Sequence, residues 1–153
     1  MNLLSHLHWT IGLTPAANAF AGTVNTDIMK CTGEGMLFLI VKGAGAAGTS
    51  TVTVDACDTV GPANSTPVAF MYRASTTLDV WGDWTQATVT GFATTAGANQ
   101  MYQVYVPAQE LGTEGYAYAR LHAVEVVAQA VTGTVLMAIV NPNYVEVPAT
   151  MLT

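Results

Sequence analysis

Residues 35–57 read GMLFLIVKGAGAAGTSTVTVDAC, and how this stretch folds decides how the rest of the chain folds. Residues 36–41 are an unbroken apolar run, which suits a strand covered on both faces. Residues 51–56 alternate instead. Val52, Val54 and Ala56 share one face while Thr51, Thr53 and Asp55 share the other, the period of a half-buried strand. Between the two, Gly43-Ala44-Gly45-Ala46-Ala47-Gly48 spells G-x-G-x-x-G. In a dinucleotide-binding turn those glycines bring a helix N-terminus against a pyrophosphate, so a helix must follow. Here a Thr/Val run follows, a poor helix and a good strand. The stretch predicts a β-hairpin with a long uncharged loop and no nucleotide site.

Outward from the hairpin the same alternation recurs. Residues 26–31 predict a short strand, ended by Gly33-Glu34-Gly35. Residues 58–66 are turn chemistry, after which Pro67 opens a strand that aligns Val68, Phe70 and Tyr72. Residues 75–91 are irregular and carry Trp81-Gly82-Asp83-Trp84, and residues 92–99 are a Gly/Ala/Thr loop. In residues 100–106 Tyr102, Val104 and Val106 share one face, and Met101, Gln103 and Tyr105 the other. Residues 107–111 make one helical turn with proline near its start. Residues 116–127 form a long strand with Ala119, Leu121 and Ala123 inward and Arg120 and His122 outward. Val124 and Val126 fall out of phase, which predicts a bulge near Ala123 or a second covered face. Residues 134–140 are apolar on both faces. Roughly seven or eight short strands with turn signals between them predict an all-β fold, a single antiparallel β-sandwich. Jelly-roll-like and immunoglobulin-like topologies both fit. The sandwich occupies residues 26–140. An extended N-terminal arm, residues 1–25, packs on the domain or reaches a neighbour, and residues 141–153 form an extended C-terminal tail.

The chain of 153 residues is 51% hydrophobic and only 9% charged, against roughly 25% charged in an ordinary soluble domain. Either its outer surface is made of Thr, Ser, Gly, Ala, Asn and Gln, or much of it lies against something else, which with no long apolar span would be a protein partner. Ten acids against Lys30, Lys42, Arg73 and Arg120 leave a net charge of −6. Four scattered bases make no cationic stripe, so neither nucleic acid nor an anionic membrane surface is an expected partner. Residues 1–22 lack a basic start and an uninterrupted apolar core, so they do not read as a secretory leader. Cys31 and Cys57 lack C-x-x-C spacing and read as reduced thiols, with a bridge open to them only if their strands are neighbours.

No residue pattern points to catalysis, cofactor or metal. His6-x-His8 would place two imidazoles on one face, with no acid or thiol nearby to complete a metal site. Asp55/Asp58 and Asp79/Asp83 are carboxylate pairs beside turns, and they read as solvated turn acids rather than a glycosidase pair. They lack the D-x-D-x-D-G loop of a calcium site. Trp81 and Trp84 offer large apolar area at low entropic cost, either for packing or for stacking on a sugar.

The order of segments resembles the capsid decoration (head cement) proteins of tailed phages. The matching stretches are Ile11-Gly12-Leu13 with Pro15, residues 48–54 (GTSTVTV) and residues 66–73 (TPVAFMYR). They continue through Ala87-Thr88, residues 91–100 (GFATTAGANQ), Glu110-Leu111 and residues 118–121 (YARL). The resemblance implies a non-enzymatic virion protein, made in the host cytoplasm and carried on the capsid exterior, often as a homotrimer at capsomer junctions. The major capsid protein would be its partner. Residues 1–30 and 141–153 are the expected contacts, with Leu3, Leu4, Trp9, Ile11, Leu13, Tyr144, Val145 and Val147 as contacting side chains and Trp81 and Trp84 as anchors. A carbohydrate- or receptor-binding β-sandwich of a virion fibre is the alternative.

Overall fold

The computed structural model describes residues 7–45 and 47–141. The strands are β1 (Leu7–Ala16), β2 (Thr23–Asn25), β3 (Met29–Lys30), β4 (Gly35–Lys42), β5 (Thr49–Cys57) and β6 (Ser65–Val68). They continue with β7 (Phe70–Ser75), β8 (Thr85–Ala87), β9 (Phe92–Ala93), β10 (Gln100–Pro107), β11 (Tyr118–Val127) and β12 (Gly133–Val140), and helix α1 (Ala108–Thr113) follows β10. One sheet has the order β1-β12-β4-β10-β7-β8. The other has the order β2-β11-β5-β6, with β3 added beside β11 and β9 beside β5. The two sheets pack as an antiparallel sandwich.

The pairing is nested. β5 pairs with β6, β4 with β10, β2 and β3 with β11, and β1 with β12, so the chain forms one long folded-over ribbon. Rolling that ribbon brings β12 against β4 and β11 against β5, which completes both sheets. Successive ribbon strands thus alternate between sheets, which is the jelly-roll arrangement of the two topologies left open by strand spacing.

The core follows from alternation. β4 turns Met36, Phe38 and Ile40 inward, β5 turns Val52, Val54 and Ala56, and β10 turns Tyr102, Val104 and Val106. β11 contributes Ala119, Leu121 and Ala123, and β12 contributes Val135, Met137 and Ile139. Phe70, Tyr72, Phe92 and Tyr102 fill one end, where Tyr72 and Phe92 stack with centroids 4.1 Å apart.

Three sequence expectations change. β4 and β5 are not a hairpin, since they lie in opposite sheets and the Gly/Ala loop crosses between them. β4 pairs instead with β10 and β12, one on each edge. An alternating strand needs one buried face, which β5 obtains across the core from β4. Residues 68–73 are likewise not one strand. β6 and β7 sit in opposite sheets with Ala69 between them, and Val68 and Phe70 both reach the core. The bulge of β11 falls between Glu125 and Val127, beyond Ala123.

Within the segment read as an arm, β1 packs on the domain as the edge strand beside β12, Leu7 opposite Val140. Thr134 Oγ1 donates to Leu13 O at 2.7 Å, and Asp27 N donates to Gly12 O at 2.8 Å. The carboxy-terminal tail beyond Asn141 lies outside the described residues.

Candidate interaction surface

Residues directly opposite in an antiparallel sheet point to the same face, so the strand registers define what the first sheet shows on its outer side. One row runs Trp9, Ala138, Leu37, Tyr105, Met71, Gln86, and the next runs Ile11, Leu136, Leu39, Gln103, Arg73. A third contains Thr134, Val41, Met101 and Ser75. Of these side chains only Arg73 is charged. Leu37, Leu39 and Val41 are half-buried, whereas Trp9 and Ile11 at the β1 edge are 42% and 48% exposed. Gly35 makes room for this surface, because a Cβ there would lie 2.7 Å from the Tyr105 ring.

The far edge of this sheet carries a protruding loop between β7 and β8. Its backbone is tied down by Gly82 N donating to Ala74 O at 2.9 Å and Val80 N donating to Thr77 O at 3.0 Å. Ser75 Oγ adds a hydrogen bond to Thr77 O at 3.1 Å. Asp79 turns the chain with φ of 63°, a conformation that Asp tolerates better than most residues. The turn leaves Leu78 74% exposed, with Val80 beside it in solvent. Arg73 braces the base of the loop. Its guanidinium lies 4.9 Å from the Trp81 ring centroid and 4.8 Å from that of Trp84, while Nε donates to Gln103 Oε1 at 2.7 Å. Each such contact contributes about 0.5–1 kcal/mol at an exposed site. Trp81 is half-buried and Trp84 is 42% exposed. Trp81, Arg73, Thr77 and Asp83 line an open depression of about 450 Å³.

The G-x-G-x-x-G loop is packed rather than free. A Cβ on Gly43, Gly45 or Gly48 would come within 2.4 Å, 2.2 Å or 2.3 Å of Thr132, Ala130 or Val131. Its anchor is Lys42, which is buried although it ends an apolar strand. Nζ donates to Gly48 O at 3.0 Å, Thr95 O at 2.7 Å and Gln100 Oε1 at 3.1 Å. Burial lowers its pKa. Tyr102 OH donates to the same Gln100 oxygen at 2.9 Å, so the network ties the loop to β10.

The remaining candidates are spread over the fold. Asp55 pairs with Arg120 at 3.2 Å, and Asp58 accepts from the Asn64 backbone and side chain. Asp79 and Asp83 both belong to the protruding loop. His8 sits on β1, His122 bonds Asn25 Oδ1 at 2.7 Å, and His6 is outside the described residues. Cys31 and Cys57 are free thiols; Lys30 of β3 and Cys57 of β5 flank Tyr118 from opposite sides, so their strands are not neighbours.

Of the contacting residues expected from sequence, Trp9 and Ile11 lie on the outer sheet face, and Leu13 is half-buried against the core. Trp81 and Trp84 come together around Arg73. Leu3, Leu4, Tyr144, Val145 and Val147 lie outside the described residues. Sequence reading missed Leu78 and Val80, which no periodicity marks in an irregular segment. It also did not single out Leu37, Leu39 and Leu136, although the doubly apolar runs that hold them were a usable signal.

No protein-family model and no curated protein sequence matches the chain. Among solved structures it is similar to the SPBc2 prophage-derived protein YomS. The identity is 12% and the TM-score 0.47, over 86% of this chain and 92% of that one. Likeness at that level leaves the function to be argued from the residues themselves.

Proposed function

We propose that the chain is a non-enzymatic virion structural protein that binds the outside of an assembled phage capsid and stabilises it, as a homo-oligomer for which the family resemblance implies a trimer. The major capsid protein is its partner on this reading. The carrying observation is the braced protrusion between β7 and β8, which holds Leu78, Val80 and Trp84 in solvent on a fixed backbone. Exposed apolar groups on a preorganised loop suit a protein contact, because little entropy is lost on docking. β1 and β12 add a second line of support. Leu7 lies opposite Val140, so the first and last described strands have their outer ends side by side at one corner of the sandwich.

The test is co-sedimentation of the purified chain with empty shells and the thermal stability of the resulting particles. Removal of residues 1–6 and the double substitution Leu78→Ser with Val80→Ser are each expected to weaken shell binding by tenfold or more, about 1.4 kcal/mol per decade. A deletion that reaches residue 20 would remove β1 and report on folding instead. Unchanged binding by both variants would overturn the assignment.

The alternative, a carbohydrate-binding module, is favoured by one observation. Trp84 is exposed, and Trp81 and Asp83 line the adjacent depression. An indole beside polar groups is what a sugar ring stacks on. Glycan-array binding that Trp84→Ala abolishes would support this reading, and an array without signal would remove it.

A further inference from the structure

The outer face of the first sheet is broad over five adjacent strands, β1, β12, β4, β10 and β7, and its three rows carry one charge, Arg73 at the margin. At about 4.8 Å between strands and roughly 6.8 Å between alternate residues, its three rows cover on the order of 500 Å² in plan. A largely apolar patch of that size is at the upper end of what a monomer leaves in water, where such patches are often functional. We infer that the same face of a second copy of this chain covers it, with β4 lying over β4 and Leu37 and Leu39 at the centre.

Area, charge and shape each favour a second copy. Two such faces together remove on the order of 1,000 Å² or more, the lower limit for a specific interface. The chain carries ten acids against four bases, so copies repel one another wherever acids meet. None of those acids lies in the three rows, and this face lets acidic chains approach without that cost. A different partner would ordinarily be selected by complementary charge or by a pocket, and the three rows offer a single charge, Arg73, at one margin. Two twisted sheets also match each other in shape, packing about 10 Å apart with strands near 30°. β4 is the middle strand of the five, so a two-fold axis through it sets the exposed Trp9 and Ile11 at the rim of the contact. The contact is two-fold and forms pairs of chains, whether or not another surface builds a trimer. It concerns the free protein and does not depend on shell binding.

Sedimentation equilibrium of the purified full chain at micromolar concentration tests it. The wild type is expected at a multiple of the single-chain mass, and Leu39→Lys at the mass of one chain with its thermal transition retained. Leu39 points away from the core, so the lysine has solvent to reach. A Leu39→Cys variant treated with a short bis-maleimide is expected to give covalent pairs that the wild type, with only Cys31 and Cys57, does not. A wild-type monomer, an oligomer that Leu39→Lys leaves intact, or a Leu39→Cys variant that links no better than wild type would each overturn the inference. If Leu39→Lys does not fold, the cross-linking result decides. Shell binding by a monomeric Leu39→Lys chain would leave the capsid reading standing on its own.

Discussion

Lys42 has no carboxylate among its hydrogen-bond partners and is held by two carbonyls and an amide oxygen, so its ammonium serves as a three-way donor inside the fold. Lys42→Met keeps the stem and removes the donors, leaving buried acceptors unpaired. Chemical denaturation is expected to show a loss of about 2–4 kcal/mol. Cys57 is another buried titratable group, its thiol pushed up to about 11 from 9.0, chiefly by burial, with Arg120 opposing and Asp55 and Asp58 adding. The unfolded chain releases this proton at lower pH than the folded one. The thiol's contribution is therefore complete below about pH 9 and is lost as pH rises toward 11. Lys42 acts in the opposite sense, since its lowered pKa makes the cost of burying the charge ease as pH climbs toward its ordinary value. Cys57→Ala isolates the thiol. Urea midpoints taken across pH 8 to 11 are expected to fall less steeply in the variant, by about 2 kcal/mol over the range, and parallel curves would count against a buried neutral thiol.

At the scale of elements, the crossing loop between β4 and β5 makes the sharpest prediction. Gly45 has φ of +108° and no room for a Cβ beside Ala130 O, so Gly45→Ala is expected to cost about 1–3 kcal/mol. Gly112 in α1 has nothing within 4 Å of a Cβ, and Gly112→Ala is expected to raise stability by about 0.5–1 kcal/mol. Thermal melts of the two variants should move in opposite directions. Strand positions and inward faces were legible because period-two alternation is local, as in Tyr102, Val104 and Val106. Which sheet each strand joins was not legible, because nothing within residues 35–57 distinguishes a hairpin from a crossing. That choice depends on β10 and β12, which lie far away in sequence. Lys42 was hidden for a similar reason. Its partners Thr95 and Gln100 are more than fifty residues distant, and a lysine closing an apolar run ordinarily faces water.

Over the whole molecule, low charge and doubly apolar strands raised the expectation of a surface that meets a partner, and the strand registers show which side chains the first sheet turns outward. The Arg73 sandwich was beyond reach, since nothing in residues 75–91 says that both indoles fold back on one strand. Nested pairing also has a consequence for how the protein is made. β12 is the last of the described strands to be translated, yet it lies between β1 and β4 in the middle of the sheet's apolar half. Until about residue 140 has cleared the ribosome, β1 has no neighbour and the outer edge of β4 is unpaired. Stalled chains ending at residue 132 should therefore remain sensitive to protease through β1, and full-length released chains should not. A resistant stalled chain would show that the sheet closes by some other route. On this topology the first sheet closes only once β12 has emerged, and until then the nascent chain keeps its two most apolar strands apart.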